Sequence, residues 1–195
     1  MSLVQVFEQL IAAEWKLERR GSDWLVVEPN SENNLLRVGG GRSFAFSLDQ
    51  KGRDRFPFMR PNTPLVGVRS TCDAIVVADF DGDCIVVAIE MKTKEADKGD
   101  AMKQIEAGRH WLQWIFNLIR MHGHWRNDCR FCSVVSLKPR RQVRKGITSR
   151  RSMPVLPSAE SGRCGEPMFV LKNHPKLNLS DLINALAPSA AGVCL

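Results

Sequence analysis

Two segments of the chain place apolar residues at the spacing of a helix. In the first, Ser2 with Gln5 three residues later forms a capping-box signal, and apolar residues then recur with a period near 3.6 toward a stop at Gly21. This pattern predicts an amphipathic helix over about residues 3–20.

The second helical segment runs from Asp100, a candidate N-cap, to Gly123, a candidate stop. One face of it carries the apolar positions of a core-facing helix: Ile105, Gly108, Leu112, Ile115, Ile119 and His122. A second apolar stripe is formed by Trp111, Trp114, Leu118 and Met121. A helix that is apolar on more than one side needs a second cover, either its own chain or a partner subunit such as a second copy.

Shorter apolar runs predict strands and a last helix. The alternation of Phe44, Phe46 and Leu48 is typical of a half-buried strand. Three further strands are expected at residues 23–29, 130–137 and 167–173. The stretch "NLSDLINALAP" predicts a final helix capped at Ser180 or Asp181. This order of helices and strands indicates a mixed α/β (α+β) fold in a single domain over residues 1–195.

A hairpin is predicted within "CDAIVVADFDGDCIVVAIEMKT", residues 72–93, where two apolar runs flank Asp81-Gly82, the residue pair of a type I′ turn. If these two residues form the loop, Asp73 lies opposite Glu90. The period of two places Lys92 on the same face of the sheet. Three ionisable side chains therefore converge at one end of two otherwise apolar strands.

Facing carboxylates destabilise a sheet unless a positive charge compensates them. Mg²⁺ supplies that charge with one or two carboxylates and several waters as ligands, and Mn²⁺ is an alternative ion. Beside it, Lys92 could orient or deprotonate a metal-bound water. In the plainer alternative, Asp73 and Glu90 lie at fraying strand ends in water and Lys92 is an ordinary neighbour. The nearby "DFDGD" resembles the start of a calcium loop but lacks its later ligands, so turn chemistry is expected there.

Composition and charge narrow the class of partner. The 195 residues carry a formal net charge of +7, with a pI near 9.3, which favours a polyanionic partner over a merely basic protein. No signal peptide or membrane span is predicted, so a cytoplasmic protein without membrane contact is expected. In that setting Cys72, Cys84, Cys164 and Cys194 are expected as buried or idle thiols.

A basic segment follows the predicted strand 130–137 and is expected to form a mobile loop over residues 138–166. Its cations are unbalanced by acids and are candidates for holding a nucleic-acid backbone: Lys138, Arg140, Arg141, Arg144, Lys145, Arg150 and Arg151. A second group interleaves Arg53, Arg55 and Arg60 with Phe56 and Phe58, for nucleic-acid contact or for plain loop anchoring.

The residue types of a zinc site also occur, at His122, His124, Cys129 and Cys132. His122 falls on the apolar face of the long helix and Cys132 lies within a strand, so we do not expect zinc there. A zinc-stabilised interaction module exposing Trp111, Trp114 and Trp125 is kept as a rival hypothesis.

The spacing of Asp73 and "EMK" at 90–92, followed by a helix with "KQIEAG", resembles the PD-(D/E)XK nuclease superfamily, the restriction-endonuclease-like fold. The resemblance covers about residues 65–137 and departs from the family where Cys72 replaces the usual Pro and where no Tyr follows Gln104. It implies a mixed sheet of αβββαβ type and Mg²⁺-dependent phosphodiester hydrolysis.

The resemblance also implies residue roles. Asp73 and Glu90 would be metal ligands, joined by the backbone carbonyl of Met91, and Lys92 would be the catalytic lysine. Gln104 matches a helix residue that many members add. An additional acid from the first helix is Glu8, Glu14 or Glu18, of which we favour Glu14.

These observations together predict a metal-dependent deoxyribonuclease, expected to be an endonuclease. The alternative is a nuclease-fold protein that no longer cuts and serves as a nucleic-acid-binding or assembly subunit. A homodimer or a protein partner would contact the helix face of Trp111 and Trp114.

Overall fold

The computed structural model describes residues 1–28, 34–50, 52–53, 59–60, 67–80, 83–93, 97–137 and 155–186. The helices are α1 (Leu3–Leu10), α2 (Lys98–Met121) and α3 (Leu179–Ala185), and a 3-10 turn spans Ala13–Trp15. The strands are β1 (Arg19–Arg20), β2 (Asp23–Val27), β3 (Leu35–Gly39), β4 (Arg42–Phe46), β5 (Ala74–Phe80), β6 (Asp83–Lys92), β7 (Arg130–Leu137), β8 (Glu160–Ser161), β9 (Pro167–Lys172) and β10 (Lys176–Asn178).

The strands form two sheets. The larger has the order β4-β5-β6-β7-β9-β8 and the smaller β1-β2-β3-β10. In the larger sheet β4, β5 and β6 pair antiparallel, whereas β6, β7 and β9 run parallel. Helix α2 makes the crossover that a parallel β6–β7 pair requires. The mixed α/β class is confirmed. The elements α1, β4, β5, β6, α2 and β7 occur in this chain order, with β1, β2 and β3 inserted between α1 and β4.

The larger sheet is buried on both faces. Helices α1 and α2 cover one face, where Val86 and Ala88 point into their core, and the smaller sheet with α3 covers the other, where Val87 and Ile89 point. This division follows from the side-chain period of two along a strand. It also places every even-numbered residue of β6, through Lys92, on the side of α2.

The first helix is shorter than predicted. The capping box of Ser2 and Gln5 is present, but α1 ends at Leu10 because Ile11 adopts an extended conformation with ψ of 120°. The chain then forms the 3-10 turn and β1 instead of continuing to residue 20.

Two other helix ends also differ from prediction. Helix α2 starts at Lys98 with Asp97 at its N-cap, so Asp100 lies inside the first turn. The cap of α3 is Asn178, whose side chain accepts from the backbone N–H of Ser180.

Strand β3 was not predicted, because its "LLRVG" sequence has no sharp alternation of apolar and polar positions.

The hairpin has the predicted register, although Asp81 and Gly82 lie outside the described residues. Phe80 pairs with Asp83 and Asp79 with Cys84, and the ladder continues without a bulge to Ala74 and Ile89.

The basic segment is described only in part. Its cations at positions 138–151 lie outside the described residues, as do Arg55, Phe56 and Phe58. The predicted loop does not extend unbroken to residue 166, because Glu160 and Ser161 form β8 and pair with β9.

Cysteine pairing corrects one prediction. Cys84 is not an idle thiol, since it forms a disulfide with Cys129 that joins the start of β6 to the chain entering β7. Among the described residues Cys72, Cys132 and Cys164 are free thiols, whereas Cys194 lies outside them.

No described helix is both long and apolar enough to span a membrane.

Candidate active site

The hairpin brings the predicted acids together at one edge of the larger sheet. Asp73 immediately precedes β5, and Glu90, Met91 and Lys92 end β6. The observed ladder ends at Ala74 and Ile89, so Asp73 and Glu90 are the residues next to its last pair. Gln104 lies in the second turn of α2, above this end of the strands.

Backbone hydrogen bonds hold the two carboxylates. The N–H of Asp73 donates to Oε2 of Glu90 at 3.1 Å, and the N–H of Met91 donates to Oδ2 of Asp73 at 2.6 Å. Each carboxylate is therefore fixed by the backbone of the opposite strand end.

Lys92 connects this pair to α2. Its Nζ donates to Oε1 of Glu90 at 2.6 Å and to Oε1 of Gln104 at 2.5 Å. The structure thus brings together Asp73, Glu90, Lys92 and Gln104, all four side chains predicted for the site. The contact with Gln104 links the end of β6 to α2.

Burial dominates the electrostatics of the site and raises the pKa of both carboxyls, to about 7 for Asp73 and about 8 for Glu90. The backbone N–H of Met91 opposes the rise at Asp73, and the charge of Asp49 adds to it. At Glu90 the charge of Asp73 adds to the rise, and Lys92 opposes it. Burial by itself would lower the pKa of Lys92, but the hydrogen bond and charge of Glu90 outweigh it and raise that pKa.

The donor set fits a divalent cation of the Mg²⁺ type. Asp73 is 6% exposed and Glu90 1%, and one lysine cannot neutralise two buried carboxylates. Mg²⁺ accepts one or two carboxylates and keeps several waters, so it needs no complete protein cage. Accordingly, in the described residues no three His, Cys, Asp or Glu side chains converge to hold a metal by themselves.

An open cleft of about 370 Å³ adjoins Asp73. Its described lining includes three further acids, Glu18, Glu28 and Asp49, together with Lys16. The charges of Asp49 and Glu28 both raise the pKa of Asp73, so these acids lie close enough to influence the site.

The extra acids come from unexpected elements. Glu14, the favoured candidate, is exposed in the 3-10 turn and does not line the cleft, whereas Glu18, another of the three predicted candidates, lines it together with Glu28 and Asp49. These acids lie near the site, but among the described residues none joins Asp73 and Glu90 as a third acidic ligand. Asp49 lies three residues beyond β4, whose last pair joins Phe46 to Ile75, and it lines the same cleft as Asp73. No signal within the sequence placed it there, because the pairing of β4 with β5 is known only from the structure.

The four candidate zinc ligands do not come together. Cys129 forms the disulfide with Cys84. Cys132 is buried on the face of the larger sheet that the smaller sheet and α3 cover. His122 and His124 are both exposed beyond the end of α2. Burial raises the pKa of the Cys132 thiol, which disfavours the thiolate form that a zinc ligand needs.

Outside the site, the described part of the chain has a second buried acid with cationic partners. Asp23, in β2, accepts from Lys176 at 2.9 Å and from Arg37 at 2.5 Å. These partners lower the pKa of Asp23, the reverse of the effect at Asp73 and Glu90. The carboxylate of Asp23, with two cationic partners, needs no added metal ion and forms a structural ion cluster. The two carboxylates at the hairpin end have only one lysine between them.

Neither family models, nor curated proteins, nor solved structures gave a match to this chain, so the residues of the site themselves carry a functional proposal.

Proposed function

We propose that this chain is a PD-(D/E)XK-type nuclease that hydrolyses phosphodiester bonds in DNA with Mg²⁺ or Mn²⁺. The observation that carries the proposal is the buried, backbone-held pair of Asp73 and Glu90 with a single lysine bonded to it. Burying two carboxylates against one cation has a large desolvation cost. Buried acids with strongly raised pKa values are concentrated at functional sites, which favours a catalytic role for this pair.

Asp73 and Glu90 would hold the cation, with the backbone carbonyl of Met91 as a further oxygen ligand. When bound, the cation supplies positive charge for the scissile phosphate and acidifies water. The acids of the adjoining cleft, Glu28 and Asp49 in particular, add negative charge on the open side of the pair and favour cation binding there.

Lys92 acts as an ammonium group. Its raised pKa keeps it protonated at neutral pH, and the acceptors Glu90 and Gln104 direct its Nζ. In this form it positions the attacking water by hydrogen bonding and stabilises negative charge on the phosphate oxygens. Gln104 holds Lys92 in place and supplies no charge of its own.

The basic segment supports a polyanionic substrate. Leu137, the last residue of β7, is the partner of Lys92 in the parallel ladder. Lys138 follows it directly in the sequence, and the other cations of residues 138–151 come next in the chain. Together with the net charge of +7, this attachment favours binding of a nucleic-acid backbone beside the carboxylate pair.

The test is a cleavage assay with linear and circular DNA and with RNA, in Mg²⁺, Mn²⁺ or EDTA. We expect DNA cleavage that EDTA abolishes and that Lys92→Ala or Asp73→Asn lowers by about 10²- to 10⁴-fold. The matched control is Lys176→Ala, which disrupts the other buried acid–lysine pair and should leave the cleavage rate per folded molecule unchanged.

Equal cleavage by wild type and the two site variants would refute the assigned site. DNA binding without cleavage in any metal would favour the non-cutting subunit instead. Preferential cleavage of RNA would retain the site and correct the substrate.

A further inference from the structure

Helix α2 carries an apolar seam on its outer side. The seam consists of Trp111, Trp114, Leu118 and Met121, and three of these side chains are exposed: Trp114 by 55%, Leu118 by 36% and Met121 by 69%. The buried positions of the helix are different residues: Ala101, Ile105, Gly108, Leu112, Phe116 and Ile119. The successive spacings of three, four and three residues are those of the a and d positions of a coiled coil.

The seam lies on a face with little charge, although the chain as a whole carries +7. Between His110 and Met121 the only Lys, Arg, Asp or Glu is Arg120. Arg120 is turned back to its own chain, where it contacts the carbonyl of Asn127 and the carboxylate of Asp128, both at 3.4 Å. Two copies of a basic protein repel each other at most orientations, but not strongly across this face.

The sizes of the seam residues fit a reversed copy of the same seam. Its N-terminal half has two tryptophans, whose rings meet edge to face at 5.8 Å, and its C-terminal half has leucine and methionine. In an antiparallel pair centred at Phe116, Trp111 would face Met121 of the other copy and Trp114 would face Leu118. A parallel pair would instead oppose tryptophan to tryptophan at two successive layers.

We propose that a second copy of this chain docks on the α2 seam, with the two helices antiparallel about a two-fold axis at the level of Phe116. Antiparallel coiled-coil packing pairs a with d positions, as this register does, and it also opposes the two helix dipoles favourably. The sulfur of Met121 against the Trp111 ring adds a favourable contact.

The apolar area available for the proposed dimer contact is small. The exposed parts of the three seam side chains amount to roughly 350 Å² on each copy, against about 800 Å² per partner in a standard interface. The exposed polar residues beside the seam, His110, Gln113 and Asn117, would extend the contact. A contact of this size supports a weak, transient dimer rather than a permanent one, so association is sought at micromolar concentrations.

Sedimentation velocity over a concentration series tests the proposal with the full chain, without DNA or metal. Wild type should change from monomer to dimer as its concentration rises through the micromolar range. Trp114→Glu alone and Leu118→Lys alone should each weaken self-association at least about tenfold, because each places an unpaired charge in the interface. Val155→Lys is the matched control, since Val155 is 89% exposed and far from the helix in sequence.

The register has its own test. In an equimolar mixture of the two single variants, an antiparallel heterodimer brings the introduced carboxylate against the introduced ammonium group while the other Trp114–Leu118 pair stays native. Association of the mixture should therefore exceed that of either variant alone by about tenfold or more. A parallel dimer would place position 114 against position 114, so its mixture would be relieved of like-charge repulsion but would form no ion pair, and it should associate no more strongly than wild type mixed with Trp114→Glu.

Three results would overturn the proposal. Wild type that stays monomeric to about 100 µM would exclude the dimer, and a dimer unaffected by both seam variants would place the interface elsewhere. Equal weakening by Val155→Lys would show a nonspecific effect. The proposal does not rest on the nuclease function, since no outcome depends on catalysis.

Discussion

The backbone N–H of Asp73 donates a 3.1 Å hydrogen bond to the carboxylate of Glu90 on the neighbouring strand. The carboxylate of Asp73 in turn accepts from the backbone N–H of Met91. Because the backbone holds both groups, their separation is set by the hairpin register and not by flexible side-chain partners. Asp73→Asn keeps an acceptor oxygen for the N–H of Met91 and removes the charge, whereas Glu90→Gln also loses one of the two oxygens that accept from Asp73 and Lys92.

The pair predicts how stability depends on pH. Both carboxyls have raised pKa values in the folded state, about 7 and about 8, against values near 4 in the unfolded chain. Between about pH 4 and pH 8 the folded state therefore binds more protons, and the stability of the metal-free protein should fall as the pH rises through this window. Thermal melts in EDTA across this range measure the effect, and Asp73→Asn should flatten the curve.

The same linkage predicts when metal stabilises the protein. Mg²⁺ competes with protons for the two carboxylates, so the rise in melting temperature on adding Mg²⁺ should be larger near pH 8.5 than near pH 6. A Mg²⁺ effect that is equal at both pH values, or unchanged in Asp73→Asn, would contradict binding at this pair.

A close contact between Gly108 and Cys72 predicts a compensating pair of substitutions. A Cβ at position 108 would lie 2.6 Å from Sγ of Cys72, the residue before Asp73. Gly108→Ala should therefore destabilise the fold by about 1–3 kcal/mol. Cys72→Ala in the same chain should recover most of this loss, as a double-mutant cycle in chemical denaturation would show.

Helix α2 supplies the control for this cycle. Gly99 has no atom within 4 Å of its would-be Cβ, so Gly99→Ala should be neutral or stabilising by up to about 1 kcal/mol. Strict additivity of Gly108→Ala and Cys72→Ala would show that this contact does not determine the position of α2.

Gln104 should affect cleavage through Lys92. Gln104→Leu removes one of the two acceptors of the ammonium group, and the loss of one charge-assisted hydrogen bond corresponds to about 10- to 100-fold in rate. Lys103→Ala is the control, because Lys103 is an exposed neighbour paired only at the surface with Asp100. Rates measured across pH should show the larger deficit for Gln104→Leu at every pH, and equal deficits would remove Gln104 from the site.

The disulfide predicts a stability effect far from the site. Cys84 and Cys129 are 45 residues apart, and closing a loop of that length stabilises a fold by about 4 kcal/mol in the chain-entropy account. Replacing both by alanine, or adding a reductant, should lower the melting temperature, and the reductant should not lower that of the double variant further. A thiol titration of unfolded, unreduced protein should find two fewer thiols than in the reduced protein, and equal numbers would show that the bond is not formed.

Much of the site could be predicted because it is local. A hairpin with a two-residue turn has one register, and the strict alternation of side chains then places Asp73, Glu90 and Lys92 on one face without knowledge of the remaining chain. The capping box at Ser2 and the strand at 130–137 were predicted for the same reason, since their signals lie within a few residues.

Other features depended on contacts between distant segments. The end of α1 at Leu10 was missed because the helical period of the sequence continues beyond it. In the structure, Arg19 and Arg20 instead form β1 and pair with β2, so they are not helical. The disulfide was missed because Cys84 and Cys129 become neighbours only when β6 and β7 pair.

Sequence alone thus established the charged hairpin end, because backbone stereochemistry dictates period and register over short distances. Packing decided which groups surround it. Gln104 reaches Lys92 only because α2 lies on the even-numbered face of β6, and Asp49 and Glu28 border Asp73 only because β4 and the smaller sheet meet there. Such contacts depend on which buried faces meet across the core, and no local periodicity encodes that choice.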